Sequence, residues 1–357
     1  MRLEEPHWWY GETPDPRQRL LAPIGQLYGW LAERRFRRRQ PYRSRYPVIC
    51  IGNFTMGGTG KTPLALFIAE LLLARGEKPV FLTRGYGGKS PGPVWVEDTP
   101  DAARRFGDEP LLLARIAPTL VARDRRAGAL MIEDGTLPVS AIIMDDGLQN
   151  PALKKDLTIA VVDGQRGVGN GEVFPAGPLR APLEFQLGLI DAIVVRAPVS
   201  TPAREHAVHA LLRREFPGPV LAAHVVARGD TAWLNDAPIV AFAGIANPDR
   251  FFALLENLGA NIVERLTFPD HHTFTPADCD QLLASAQAKD ARLATTEKDW
   301  MRLKGDAAVP TEMLERTQSL AIETVFEARD LGRITSLIET VTQRQGYPRQ
   351  SSRPPQI

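Results

Sequence analysis

What this 357-residue chain has little of narrows the field first. It has two cysteines, Cys50 and Cys279. They lie far apart, and Cys50 sits in an apolar run. That pattern excludes a disulfide-stapled scaffold and reads as buried free thiols of a reducing compartment. No apolar run reaches the ~18–20 residues of a membrane-spanning helix. The chain opens on EEPHWWYGE, acidic and aromatic, unlike a secretory leader. An excess of one charge is missing too. Lys and Arg number 43 against 42 Asp and Glu, a formal net charge of +1, so no global field draws in nucleic acid. Nucleic-acid-binding motifs and internal repeats are absent. What remains is an ordinary cytoplasmic chain, too long for one typical core and so expected to hold two domains.

The first 47 residues break the charge balance. RRFRRRQPYRSR gathers Arg34, Arg35, Arg37, Arg38, Arg39, Arg43 and Arg45. Before it, Leu20, Leu21, Ile24, Leu27, Tyr28, Leu31 and Ala32 recur at helical spacing. An apolar stripe joined to arginines and tryptophans suits the interface of an anionic membrane. Each arginine there contributes about 1 kcal/mol, so three or four give only reversible docking without aromatic insertion. The same stripe also suits a helix packed on its own domain with a solvated basic end. Both readings stand at this point.

Residues 48–217 alternate apolar strands with helical patterns, the signature of an α/β fold with a parallel sheet. PVICIGN is a short, wholly apolar strand, as a buried parallel strand should be. From Pro63, Leu64, Phe67, Ile68, Leu71 and Leu72 mark a helix that Gly76 ends. Residues 218–237 read as a β-hairpin linker, and 238–335 as a smaller α/β domain. Residues 336–357, polar and proline-rich, read as a disordered tail.

Between the first strand and helix lies GNFTMGGTGKTP. A phosphate loop reads Gly, four residues, Gly, Lys, then Ser or Thr. Gly60, Lys61 and Thr62 fit, but the first glycine is replaced by Thr55. Gly57 and Gly58 offset that loss by moving the flexibility inward. Thr55, Met56, Gly57, Gly58, Thr59, Gly60, Lys61 and Thr62 are thus the expected ATP cradle, with backbone amides and a helix N-terminus facing the phosphates. Lys61 would reach the β and γ phosphates, and the Thr62 hydroxyl would meet Mg²⁺. One class of partner-recruiting ATPases also lacks that first glycine, but it carries a lysine where this chain has Met56. AIIMDDG supplies the acid that ends an apolar strand: one carboxylate of Asp145 and Asp146 would hold Mg²⁺, directly or through water. TTEKD lacks the gap of a guanine-reading motif, which argues against GTP.

Taken together, GNFTMGGTGKTP, LTRGYGG, FGDEP, MDDGLQN, GVGNGEVFPAGPLR, FAGIANPDRFF, FPDHHTFT and TTEKD resemble the tetraacyldisaccharide 4′-kinases, the lipid A 4′-kinases of Gram-negative bacteria. The resemblance covers most of the chain. It implies ATP- and Mg²⁺-dependent phosphorylation of the 4′-hydroxyl of an acylated disaccharide 1-phosphate, giving lipid IVA. It implies a peripheral enzyme on the cytoplasmic face of the inner membrane; no nucleic-acid partner and no obligate protein partner are expected. By motif, Asp108 is the carboxylate that receives or steers the hydroxyl proton, and His271 is its partner. Lys61 and Asp146 complete the catalytic set. Thr62, Glu109 and Asp145 are the metal shell, and Arg84, Tyr86, Gly87, Arg125 and Arg180 meet the phosphorylated sugar.

Read without the resemblance, Asp108 suits a helix cap and His271–His272 a surface pair. Leu148 and Asn150 depart from the family's usual aromatic and histidine, and Ala181 from its usual glutamate. Two other readings are a phosphate-loop ATPase that switches a protein partner and a lipid-surface protein with a vestigial loop. Met56 speaks against the first. Intact Lys61, Thr62 and Asp145 speak against the second.

Overall fold

The structure, a computed structural model, describes residues 5–11, 13, 15–99, 101–197 and 202–343. It divides into two compact units. The first comprises Met1–Arg84, Ala122–Val225 and Thr324–Ile357; the second comprises Gly85–Val121 and Val226–Glu323.

In the first unit, helix α1 (Pro16–Arg38) starts where the Asp15 carboxylate accepts the Arg17 amide and Pro16 takes the first position. Its buried face is glycine. A Cβ on Gly25 would meet the Val173 carbonyl, and one on Gly29 the Pro182 ring. The helix therefore lies against residues 173–182 by its smallest residues and exposes Leu20, Ile24, Leu27, Trp30 and Leu31, while Phe36 packs on Phe185. Strand β1 (Val48–Gly52), helix α2 (Lys61–Leu73) and strand β2 (Pro79–Thr83) follow, the strands wholly buried.

The chain then contributes β3 (Val94–Trp95), α3 (Ala102–Phe106), α4 (Asp108–Ala114) and β4 (Thr119–Val121) to the second unit. It returns to the first with α5 (Arg125–Asp134), β5 (Ala141–Asp145), β6 (Leu157–Asp163), α6 (Leu183–Leu187), β7 (Ala192–Ala197), α7 (Pro202–Glu215) and β8 (Val220–Ala227). The pairs β2–β5, β5–β1, β1–β6, β6–β7 and β7–β8 are all parallel. Strand β1 is central, so the loop after it opens at the carboxyl ends of the strands, where such sheets bind ligands.

The second unit continues with β9 (Ile239–Ala243), α8 (Pro248–Asn257), β10 (Ile262–Thr267), α9 (Pro276–Ala288), β11 (Arg292–Thr296), α10 (Glu297–Lys304), α11 (Thr311–Arg316) and β12 (Thr317–Leu320). Its parallel sheet runs β10-β9-β11-β12. The chain ends in the first unit with β13 (Ile322–Phe326), which crosses the boundary, and α12 (Ala328–Thr342). In that unit β13 flanks β8.

Three boundaries expected from the sequence change. Residues 85–121, placed with 48–217 by alternation alone, belong to the second unit. The reason is packing: Phe106, Leu111 and Leu112 bury against Met301 and Trp300 of α10. The hairpin expected over 218–237 is not formed. Strand β8 pairs in parallel with β7 from Val220 to His224. After Gly229 the chain curls into a 3-10 turn, Ala232–Leu234, whose Leu234 is buried. Helix α12 continues to Thr342, into the stretch expected to be disordered, because Ile334, Ile338 and Val341 form a buried stripe. The rest of the expected tail, residues 344–357, lies outside the described residues.

Candidate active site

The loop after β1 needs left-handed backbone at Gly57 (φ 89°) and Gly60 (φ 86°). Thr55 is not such a position, so the glycine missing from the motif is not required here. The Thr55 carbonyl is tied down, accepting from Asn53 Nδ2 at 2.8 Å and Arg180 Nε at 2.9 Å. The Met56 amide donates to the Pro178 carbonyl at 2.8 Å. Lys61 opens α2 and reaches Asn53 Oδ1 at 3.2 Å and Asp146 at 3.4 Å. Thr62 is buried. The Thr59 hydroxyl is buried with no hydrogen-bond partner among the described residues. A buried, unsatisfied donor in a loop of this shape fits a phosphate oxygen. Thr62 and Asp145, a hydroxyl and a buried carboxylate, are the hard oxygen donors that Mg²⁺ prefers.

Asp146 holds the loop together from the side. It stands at φ 50°, and Arg180 Nη1 donates to it at 2.8 Å. Burial pushes its carboxyl up, but Lys61 and Arg180 outweigh burial and hold it well below the usual carboxylate range. Arg125, expected on the sugar, is 2% exposed. Its guanidinium donates to the Ala122 carbonyl and, at 3.4 Å, to the Asp145 carbonyl. It supports the strand ends from inside and does not face solvent. Leu148 and Ala181, two departures from the family pattern, are core residues. A Cβ on Gly52 would strike Leu148. Asn150 caps a turn through the Ala152 amide at 2.8 Å.

Sequence reasoning missed three side chains around the loop. Asn53 binds Lys61, as above. The Arg196 guanidinium crosses Gly60, and the Glu5 carboxylate stands against Gly57 while paired with Arg166 at 2.8 Å. Asn53 lies inside GNFTMGGTGKTP without a role read for it, and no motif marked Arg196 or Glu5.

In the second unit, Asp108 is the first residue of α4, after Gly107 at φ 91°. It is therefore not the cap its sequence position suggested. Its side chain is 2% exposed. Oδ1 lies 3.3 Å from His271 Nδ1. Oδ2 accepts from Arg302 Nε at 2.9 Å and Nη2 at 2.6 Å. Burial pushes the Asp108 carboxyl up; the hydrogen bond to His271 and the charges of Arg302 and Lys298 prevail and hold it far below the ordinary range. Glu109 is engaged by Lys298 Nζ at 2.6 Å, so a metal role for it requires that pair to part.

The two histidines separate cleanly. His271 sits at φ 56°, its ring 5.0 Å from that of Tyr86, with Gly87 alongside. His272 Nε2 donates to Asp278 Oδ2, 2.9 Å away, and its ring stacks on Phe268 at 4.9 Å. His271 is thus the one turned to Asp108, and His272 belongs to an aromatic cluster with Phe268 and Phe274. Tyr86 is 54% exposed, and Arg84 is exposed at the end of β2.

The model of the family Tetraacyldisaccharide-1-P 4′-kinase matches residues 17–340. The tetraacyldisaccharide 4′-kinase of Methylobacterium nodulans is 49% identical over 310 residues, 86% of this chain and 88% of that protein. That of Paramagnetospirillum magneticum is 43% identical over 344 residues, 95% of this chain and 99% of that protein. The crystal structure of LpxK from Aquifex aeolicus in complex with ATP superposes with a TM-score of 0.69 at 24% identity, covering 91% of this chain and 99% of that one, and so shares the fold. At such identity over nearly full length, the chain belongs to the tetraacyldisaccharide-1-P 4′-kinase family.

Proposed function

We propose that the protein transfers the γ-phosphate of ATP to the 4′-hydroxyl of tetraacyldisaccharide 1-phosphate. The observation that carries this reading is the reach of the family match, residues 17–340, which takes in the phosphate loop, Asp108 and His271 alike. A switch ATPase has no call for a buried Asp–His pair, and Met56 already speaks against that class.

The loop amides, the Thr59 hydroxyl and Lys61 bind the phosphates. Thr62 and Asp145 would hold Mg²⁺, which would supply charge neutralisation for the phosphates. The sugar oxygen attacks the γ phosphorus, the bond to the β-phosphate oxygen breaks, and ADP leaves. The hydroxyl proton passes to the Asp108–His271 pair, assistance typically worth about 10²–10⁴-fold. Tyr86 and Gly87 beside His271, with Arg84 and Arg180, contact the sugar phosphate, and Arg180 exchanges its hold on Asp146 for that anion.

The enzyme works as a peripheral protein at the cytoplasmic face of the inner membrane, without an obligate protein partner. Support comes from α1, which exposes Leu20 (77%), Ile24 (56%), Leu27 (58%), Trp30 (52%) and Leu31 (50%). Arg34, Arg35, Arg37, Arg38 and Arg39 are exposed at its end. Trp9 takes no part in that face, being buried with its indole on the Pro175 carbonyl at 3.3 Å. No helix among the described residues is long and apolar enough to cross a membrane.

The test is direct. The purified protein is incubated with ATP, Mg²⁺ and the acylated disaccharide 1-phosphate in mixed micelles, and a second phosphate is sought on the product. ATP hydrolysis that ignores the lipid would favour the switch instead. Leu27→Ser with Leu31→Ser should cut binding to anionic vesicles by about tenfold or more, since each buried leucine is worth ~1.5–3 kcal/mol. Unchanged vesicle binding would leave α1 as a packed helix only.

A further inference from the structure

The segment TTEKDWMR is marked by the sequence, yet the reading above gives it no task. In the structure, its residues Thr296, Asp299 and Arg302 form the frame around Asp108. We propose that Arg302 is a positioning residue for phosphoryl transfer: its fork occupies Oδ2 of Asp108 and so presents Oδ1 to Nδ1 of His271. The inference rests on the kinase reading just given.

The hydrogen bonds close into a ring. Arg302 Nε and Nη2 both donate to Asp108 Oδ2, at 2.9 and 2.6 Å. Its Nη1 donates to Asp299 Oδ1 at 2.6 Å and to the Gly244 carbonyl at 2.7 Å. That same carbonyl accepts the His271 backbone amide at 3.0 Å. One peptide therefore anchors the arginine that aims Asp108 and the histidine that Asp108 faces. The Gly244 amide in turn donates to both oxygens of Asp299, at 3.1 Å each. Asp299 also accepts the Thr296 hydroxyl at 2.7 Å, and its own amide returns to Thr296 Oγ1 at 3.1 Å. Asp299 is 0% exposed and Arg302 8%, so water cannot loosen the ring.

The geometry calls for particular residue types. A lone charge beside Asp108 would not choose between its two oxygens. A planar fork does, because two of its N–H groups converge on one oxygen while the third points back to the frame. Gly244 must be small: a Cβ there would stand 3.0 Å from Asp299 Oδ1 and 3.2 Å from Arg302 Nη1. His271 holds a left-handed backbone, φ 56°, which persists only where surrounding bonds over-determine it. With Nδ1 turned to Asp108, Nε2 lies 3.6 Å from Asp270 Oδ2. Lys298 works in parallel on Glu109, so α10 steadies both acids of GDEP.

A purely structural Arg302 would glue α4 to α10 and do nothing for the chemistry. A double-mutant cycle on kcat separates the two, using the full-length protein in the micellar assay with Asp108→Asn, Arg302→Gln and the pair. Positioning through Asp108 predicts that Arg302→Gln lowers kcat about 100-fold with KM for ATP within about twofold, and that it costs less than about threefold more once Asp108 is Asn. An equal factor in both backgrounds overturns the proposal. Arg302→Gln leaves a buried charge without its partner, so Arg302→Lys is run beside it and replaces it in the cycle should the Gln protein not fold. Lysine keeps the charge and loses the fork; kcat should stay at least about tenfold down while ATP still binds. Wild-type kcat in Arg302→Lys overturns the fork. Near-normal kcat in Asp108→Asn is a different result, since it removes the catalytic assignment on which the inference stands.

Discussion

The two units each carry an acid held charged by an arginine, and they arrive at it by different means. In the first, Asp146 is gripped by Lys61 and Arg180 beside the phosphate loop. That site is mostly backbone: a strand end, two left-handed glycines and the first turn of a helix. In the second, Asp108 is gripped by Arg302 and faces His271, and the contacts of its carboxylate are side chain to side chain. A site made of backbone survives many substitutions around it, because the amides remain. A site made of side chains depends on each member, because removing one leaves a buried partner without its bond.

That contrast orders the losses expected from single changes. The largest belongs to the second unit: Asp108→Asn should lower kcat by about 10²–10⁴-fold while ATP binding, measured by nucleotide titration, stays near normal. Loss of ATP affinity in step with kcat would break the division of labour between the units. The next belongs to the loop. Lys61→Met should cost about 10²–10³ in kcat, the scale of losing one preorganised charge at the transferred group. Here KM for ATP should rise as well, since Lys61 touches the phosphates before and during transfer. A kcat effect without a KM effect would place Lys61 only in the transition state.

How far the sequence reveals each unit follows from the same contrast. The phosphate loop was legible because its parts are contiguous and its physics is local: Gly57, Gly60, Lys61 and Thr62 sit within one turn and one helix start. The parallel sheet was legible from wholly apolar strands such as residues 48–52. The Asp108 site was legible only through the family's motifs. His271 lies 163 residues from Asp108 and Arg302 lies 194 from it, and no periodicity spans such distances. TTEKD was visible as a string, but its purpose appears only when α10 packs on α4. Arg125 misled for the converse reason: the family's motifs put it on the sugar, and only folding shows it turned inward. The linker failed because strand, turn and strand in VVARGDTAW is also the pattern of one strand followed by a 3-10 turn.

The histidines give the third and sharper test of the comparison, because they differ by one position. His271→Ala should lower kcat by about 10²-fold, within the range for losing a group that assists proton transfer. His272→Ala should change kcat by less than about threefold, since its ring stacks on Phe268 and pairs with Asp278 away from Asp108. The reverse order would move the catalytic role by one residue and would also unseat Arg302 as its support.

The smallest expected effect concerns stability and leaves chemistry aside. Asp278 closes a capping box with Thr275 at the start of α9 and pairs with His272. Burial pushes its carboxyl up, but the hydrogen bonds from Thr275 and His272 prevail and lower it below its ordinary value. A carboxyl lowered in the folded state adds stability above its unfolded pKa, ~3.9, and loses that contribution as pH falls through the folded value. Asp278→Ala should therefore lower stability at pH 7 by ~1 kcal/mol, the usual scale for a lost cap. Against wild type, the gap in melting temperature should narrow as pH drops below about 4, and kcat at pH 7 should follow the folded fraction alone. A gap that stays constant with pH would mean that Asp278 acts through packing and not through its charge. A fall in kcat beyond the folded fraction would tie this edge of the second unit to the position of His271, one residue away from the histidine it holds.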